Sequence, residues 1–289
     1  MTTIRMAVPE GFRFAATVQS HGWVQLAPFE WDAGTEALHR TETLADLTVD
    51  LEIRFDGSLQ VQSAQSIGPL EKELRARLRR MFQLDLDLNE FHAMCRRSVT
   101  HRVVARAGFG RLLCGSTRFE DAVKVIATTN TTWAQTKRMV RLLVDRCGAA
   151  SPGGRPGFPT PEGIAVLTPE ILQRDCRLGY RAGYIHALAT AVASGKTSLD
   201  GLAAPESPSA ELFDRFRSLP GIGPYGAAHL LAMEGRHDFI AVDTEFRRFV
   251  RQRYHGGRPV LDSTMLRRYS KWGRWQYLAY WSELWSADR

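Results

Sequence analysis

Hydrophobic positions change their period along the chain, and each period predicts a different kind of element. From Leu47 to Phe55 the residues Leu47, Val49, Leu51, Ile53 and Phe55 alternate with polar neighbours, the two-residue repeat of a strand with one buried face. Asp56-Gly57 is a tight-turn signal before Leu59 and Val61, so a hairpin is expected there. The first seventy residues read as mostly β. From Leu70 the apolar positions fall four apart, at Leu70, Leu74, Leu78 and Phe82, with arginines between them, which predicts an amphipathic helix. Helical spacing dominates thereafter. Proline-rich stretches at 151–163 and 204–209 read as loops, and no internal repeat is visible. The expected class is α+β: an N-terminal antiparallel β-sheet domain with an amphipathic helix over 1–88, then a mostly α-helical region over 89–289.

Within the helical region one stretch is unusually informative. Leu212, Phe213, Phe216 and Leu219 have helical spacing, and Pro220-Gly221 then breaks the run. Gly221 and Gly223 permit positive φ and close backbone approach, while Pro224 suits the first turn of a new helix. The first-turn amides of that helix lack intrahelical partners and sit at its positive end, so a phosphate oxygen fits against Gly221, Ile222 and Gly223. An ordinary helical hairpin with a Gly-Pro turn is the alternative. Ala227, Ala228 and Ala232 are small enough to let the two helices approach. Beyond them the apolar run Phe239-Ile240-Ala241-Val242 delivers Asp243 to the start of another helix. Asp243 reads as a helix N-cap, as a catalytic carboxylate, or as both.

Composition and charge agree with a folded, anion-binding chain. The 289 residues are 44% apolar and 24% charged, enough for two or three subdomains with sizeable cores. A net charge of +7 and a pI near 9.5 favour a polyanionic partner. Cys95, Cys114, Cys147 and Cys176 lie far apart without zinc-ligand spacing and read as free thiols, so no metal site is expected. No uncharged apolar run approaches the length of a membrane span, and Met1 to Pro9 lacks a secretory apolar core. The expected location is the cytoplasm, in association with the nucleoid.

The stretch Leu219 to Asp243 resembles the helix-hairpin-helix and catalytic loop of base-excision DNA glycosylases of the HhH-GPD superfamily. The hairpin and catalytic loop then occupy 211–249. Leu178-Gly179-Tyr180-Arg181-Ala182-Gly183-Tyr184 is similar to a segment of the 8-oxoguanine branch, and Phe119 to Met139 resembles the long helix that precedes it. Val18-Gln19-Ser20-His21-Gly22-Trp23 is similar to that branch's GQSFRW segment, and the wider pattern also resembles the 3-methyladenine glycosylase II type. The resemblance implies that Asp243 stabilises an oxocarbenium-like sugar and helps water attack it. It implies that Asn130 fills the hole left by an extruded base, that Tyr180 wedges the neighbouring pair, and that Arg181 meets the estranged partner. A loop or cap role for Asn130 and a core role for Tyr180 are the alternatives. Tyr225, His229, Gln276 and Tyr280 become the expected base pocket.

Departures from the pattern shape the expected activity. Tyr225 stands where bifunctional relatives carry their Schiff-base lysine, and a phenol cannot form an imine. None of the five lysines, Lys72, Lys124, Lys137, Lys196 and Lys271, lies inside the motif. Val18 replaces the glycine that reads a protonated N7, His229 replaces a pocket cysteine, and Glu245 replaces a histidine. Glu245 would favour a cationic base electrostatically. The expectation is a monofunctional glycosylase without lyase activity, with alkylated purines as first substrate class, oxidised purines second and another modified base third. A non-catalytic helix-hairpin-helix DNA-binding protein and a glycosylase-like fold recruited for protein contacts are the other readings. The partner is double-stranded DNA containing a damaged base, with no membrane, and the chain is expected to be a monomer. No cysteine lies beyond Cys176 to hold an iron–sulfur cluster. No cofactor is expected, although the hairpin carbonyls are candidates for holding a monovalent cation.

Overall fold

The computed structural model describes residues 2–202 and 207–287. Five antiparallel strands form one sheet: β1 Thr2–Met6, β2 Phe29–Asp32, β3 Ala37–Leu44, β4 Leu47–Phe55 and β5 Leu59–Ser63, in the order β1-β5-β4-β3-β2. Alternation in β4 buries Val49, Leu51 and Ile53, and Ile53 lies opposite Leu38 of β3 and Val61 of β5. The expected turn is closed by Asp56 N donating to Ser58 O at 3.2 Å, with Gly57 at φ 99°. Between β1 and β2 the chain is not β: a short helix Phe14–Val18 and a 3₁₀ turn Gly22–Gln25 intervene. Helix Glu71–Met81 follows the sheet and buries Leu74, Leu78 and Met81, as its spacing predicts.

The segment expected to be one long helix from Phe119 to Met139 is two, Arg118–Thr128 and Trp133–Cys147. Local chemistry explains the break. Asn130 adopts φ 46°, a left-handed conformation that asparagine tolerates better than most residues. Thr132 then caps the second helix, accepting from Gln135 N while the Gln135 side chain returns to the Thr132 amide. The loop 151–163 is pinned by a bridge between Ala150 and Pro156 and ends in a short helix, Pro161–Ala165, capped by Thr160. The loop expected at 204–209 lies partly outside the described residues, and Ser209 already belongs to helix Ser209–Arg217.

Two apolar cores meet across one helix, with Phe213 and Phe239 packed against both. The first joins the sheet and helix Glu71–Met81 to residues of the helices between Arg118 and Arg217. The second gathers Phe91, Cys95, Val104, Phe246, Phe249 and the rings of the C-terminal helix Gln276–Ala287. Helix Pro224–Met233 lies between them with every residue from Gly226 to Met233 buried. Ala227, Leu230, Leu231 and Met233 face the first core, while Ala228 and Ala232 face the second.

A buried ion network ties the sheet to helix Arg118–Thr128. Arg40 of β3 reaches Glu42 at 2.5 Å and Glu120 at 2.7 Å, and Lys124 reaches Glu120 at 2.6 Å. Burial opposes ionisation of Glu120, but Arg40 and Lys124 outweigh it and hold the carboxyl well below its usual range. Glu120→Ala is expected to strand the buried Lys124 and leave Arg40 paired with Glu42 alone, lowering stability by about 3–5 kcal/mol. Because the folded-state value is depressed, the contribution is complete above about pH 5 and is lost as pH falls through the acid range. Denaturant unfolding at several pH values checks both; a loss near zero at neutral pH would show the network to be dispensable.

Candidate active site

The hairpin turn is built from two backbone hydrogen bonds, Leu219 N to Phe216 O at 3.1 Å and Ile222 N to Leu219 O at 3.2 Å. Gly221 adopts φ 76°, as glycine permits, but Gly223 is extended at φ −89° and ψ −173°. Only the first glycine therefore needs its conformational freedom. The second is not confined by its neighbours: a Cβ on Gly223 would meet nothing within 4 Å, so the start of helix Pro224–Met233 opens onto free surface. Ile222 points inward, buried in the first core, and anchors the turn. A Cβ on Gly221 would lie 2.8 Å from that of Tyr184, whose ring is exposed.

Tyr184 and Tyr180 form an exposed edge-to-face pair beside the hairpin, with centroids 6.2 Å apart. Asn130 is also exposed, and its Nδ2 donates to Tyr180 Oη at 3.2 Å. Arg181 is held from within the protein. Its guanidinium is buried and donates to Thr129 O at 3.0 Å, Asn130 O at 3.1 Å and Leu178 O at 3.3 Å, while lying 4.6 Å from the Tyr180 ring. Those bonds shape the Asn130 loop and support Tyr180.

Asp243 caps helix Thr244–His255, its Oδ1 accepting from Phe246 N at 2.7 Å. Burial at the end of the apolar run raises its carboxyl above the ordinary range, and neighbouring Glu245 adds to this. Tyr225 lies one turn inside the hairpin; burial and the nearby Asp243 push its phenol up to about 12. Glu245 pairs with Arg248, which offsets its charge and weakens the expected attraction for a cationic base.

His229 stacks on Tyr225 at 5.9 Å and lies 5.0 Å from Trp23 and 6.0 Å from His21. Its Nδ1 is 3.4 Å from Tyr277 Oη, and its Nε2 is buried without a partner. His21 Nε2 lies 2.7 Å from Leu113 O and must donate, so the buried, unpartnered Nδ1 carries the lone pair. Burial lowers the His229 pKa to about 4, and burial together with His229 lowers that of His21 to about 3, so both rings are neutral near pH 7.

The two expected pocket residues on the C-terminal helix are placed differently from each other. Gln276 is half-buried with its Nε2 3.3 Å from Asp238 O. Tyr280 is enclosed by Phe246, Phe249, Tyr269 and Tyr277, as a core ring would be. Tyr277 and Trp281, stacked on each other at 5.9 Å, are the residues of this helix that reach His229 and His21. With His21 and Trp23 they were missed as site residues. Their signal was present in the one-turn spacing of 277 and 281 and in the segment Val18 to Trp23. Trp23 is held by its Nε1 donating to Asp121 at 2.8 Å, and Trp281 by its Nε1 donating to Ser20 O at 2.9 Å.

Among the described residues, no group of three His, Cys, Asp or Glu side chains is placed to hold a metal ion, and no helix is long and apolar enough to cross a membrane. Gly221→Val is expected to weaken binding to every duplex alike, by about tenfold or more, because the branched side chain meets both positive φ and the Tyr184 ring while phosphate contacts carry no sequence information. Fluorescence anisotropy on lesion-containing and undamaged duplexes checks this; a loss confined to lesion DNA would place the hairpin in the pocket instead.

The fold is shared with solved DNA-repair enzymes. A 3-methyladenine DNA glycosylase from Archaeoglobus fulgidus superposes with a TM-score of 0.77 at 19% identity, covering 99% of this chain and 98% of that one. An 8-oxoguanine glycosylase/lyase from Clostridium acetobutylicum superposes with a TM-score of 0.74 at 16% identity, covering 98% of each chain. The same enzyme bound to duplex DNA with cytosine opposite 8-oxoguanine also gives 0.74. Among curated proteins no sequence matches this chain. A family model for base excision DNA repair proteins matches residues 123–273, which hold the Asn130 loop, the hairpin and Asp243, and so the chain belongs to the HhH-GPD superfamily.

Proposed function

We propose that this glycosylase removes a damaged purine from duplex DNA by hydrolysis of the N-glycosidic bond and leaves the strand intact. The carrying observation is Asp243 beside Tyr225: a half-buried, backbone-oriented carboxylate next to a phenol, which cannot form an imine with the sugar. The carboxylate would stabilise positive charge developing at C1′ and orient the attacking water. Alkylated purines are the first substrate class. An N-alkylated purine leaves as a neutral molecule from a cation and needs little protonation. The groups around His229 suit that, since His21 and His229 are neutral near pH 7 and the Tyr225 phenol stays protonated to about 12. Oxidised purines are the second reading, favoured by one observation: the unpartnered His21 Nδ1 lone pair can accept an N–H such as that at N7 of an 8-oxopurine. Mass spectrometry of free bases released from DNA carrying both kinds of damage separates the two.

Asp243→Asn is expected to keep DNA affinity and slow base release by about 10²–10⁴-fold, or roughly 3–5 kcal/mol of transition-state stabilisation. Catalysis needs the ionised carboxylate, and burial raises its pKa. The rate should therefore fall on the acid side at a pH above the ordinary aspartate range, and Asp243→Asn should abolish that limb. Equal excision rates in mutant and wild type would remove Asp243 from the chemistry.

Borohydride should trap no covalent complex during turnover, and the product strands should break only after alkali. Tyr225→Phe should retain much of the activity, because packing and stacking survive. Tyr225→Lys is the more searching variant, since an amine within reach of C1′ would make trapping appear. An adduct with the unmutated protein, lost on replacing one of its lysines, would show that the monofunctional assignment is wrong.

A further inference from the structure

From Phe91 through Phe119 the chain contains no aspartate or glutamate, yet it carries Arg96, Arg97, Arg102 and Arg106 on a short helical pair. Helix Asn89–Arg97 and helix Arg102–Ala107 bury Phe91, Cys95 and Val104 and turn these four arginines outward. The pair is rigidly set. His101 in the connection sits 2.9 Å from Ser98 Oγ and 3.3 Å from both Ala279 O and Glu283 Oε1 of the C-terminal helix. Arg96, Arg102 and Arg106 line a groove of about 440 Å³, and a recess of about 210 Å³ is lined by Ser98, Thr100, Arg268 and Lys271 together with the mostly buried Glu283.

Elsewhere on the surface arginines are commonly neutralised, as in Arg75 with Glu71, Arg79 with Asp85 and Arg247 with Asp262. Among the described residues Arg96, Arg97, Arg102 and Arg106 have no ion-pair or hydrogen-bond partner. Neighbouring cations without counter-charge repel one another, and a polyanion relieves that repulsion while releasing its own counterions. The groove also lies away from the hairpin. It lies at the far end of Asp243's helix, where His101 and Tyr254 meet at the Glu283 carboxylate. Asp243 caps the opposite end of that helix, about 16 Å away along its axis.

We infer that the arginine face of residues 96–106 is a second DNA-backbone contact, holding a segment of duplex outside the lesion footprint. DNA is the favoured polyanion because the chain already engages a duplex at the hairpin. A flanking or neighbouring segment of long DNA is then present at high effective concentration, so modest phosphate contacts suffice. Such a contact would retain the protein on long DNA between lesions without altering the chemistry at Asp243.

The test uses undamaged DNA, so its result does not depend on base excision. Arg96→Glu/Arg102→Glu/Arg106→Glu is compared with wild type on a duplex of about 15 base pairs and on plasmid-length DNA, across a salt series. The expected result is little change on the short duplex, at least a tenfold loss on long DNA near physiological salt, and a slope of log K against log salt shallower by roughly 2–3. The Arg→Lys triple variant should restore the slope. Unchanged long-DNA affinity and slope would overturn the proposal, and would be the outcome if the face served an acidic protein instead. Equal losses on both lengths would also overturn it, since the face would then belong to the lesion footprint. Thermal unfolding checks that the variant folds, and the Arg→Gln triple variant takes its place if it does not.

Discussion

The candidate site is organised first around one helix, Pro224–Met233, which is enclosed on all sides beyond its first turn. A helix can be buried all round only if its neighbours approach closely, and that requires small residues where they cross. Gly226 meets this demand most tightly, since a Cβ there would lie 3.0 Å from Val125 Cγ1. The consequence is vertical order along one axis. The open glycine end comes first, Tyr225 follows within a turn, and His229 follows one turn deeper. The proposed DNA contact, chemistry and base environment would thus be spaced by the pitch of a single rigid rod.

The second reference element is helix Arg118–Thr128, and buried charge holds it. Glu120 and Lys124 lock it to β3 through Arg40, while Asp121 accepts from Trp23 Nε1, from Gly115 N at 2.7 Å and from Arg80 at 2.7 Å. Its C-terminal end hands the chain to Thr129 and Asn130. One helix therefore positions both the Asn130 loop and the Trp23 wall beside His229. Replacing this polar network with apolar residues could preserve stability, but the directional bonds that orient Trp23 would be lost.

Local patterns carried much of this to the surface of the sequence. Alternation in 47–55, four-residue spacing after Leu70 and the Pro-Gly break before Gly221 each map onto an observed element, because each is decided by which face of a short segment must avoid water. The Asp243 cap was equally legible, since a carboxylate at the start of a helix needs only its own amides. What failed was everything decided at a distance. Arg181 could not be separated from a DNA-contacting arginine until the carbonyls of Thr129 and Asn130 were found above it. Tyr277 and Tyr280 are both tyrosines on one helix, and only the packing of three other segments decides which ring meets His229. The break at Asn130 lay between these cases: its asparagine and threonines were visible, but the helical pattern on both sides masked their effect.

The clasp formed by Arg181 has a kinetic consequence. Asn130 is already in its left-handed conformation and Tyr180 is already hydrogen-bonded to it before any duplex arrives. The loop is thus a preset shape, and the ordering entropy of its backbone is spent during folding. In the proposed role of wedge, distortion would fall on the softer partner, the duplex. A base pair weakened by damage yields to a fixed wedge more readily than an intact one, so such a loop would sort lesions by the compliance of the duplex before any atom of the base is read.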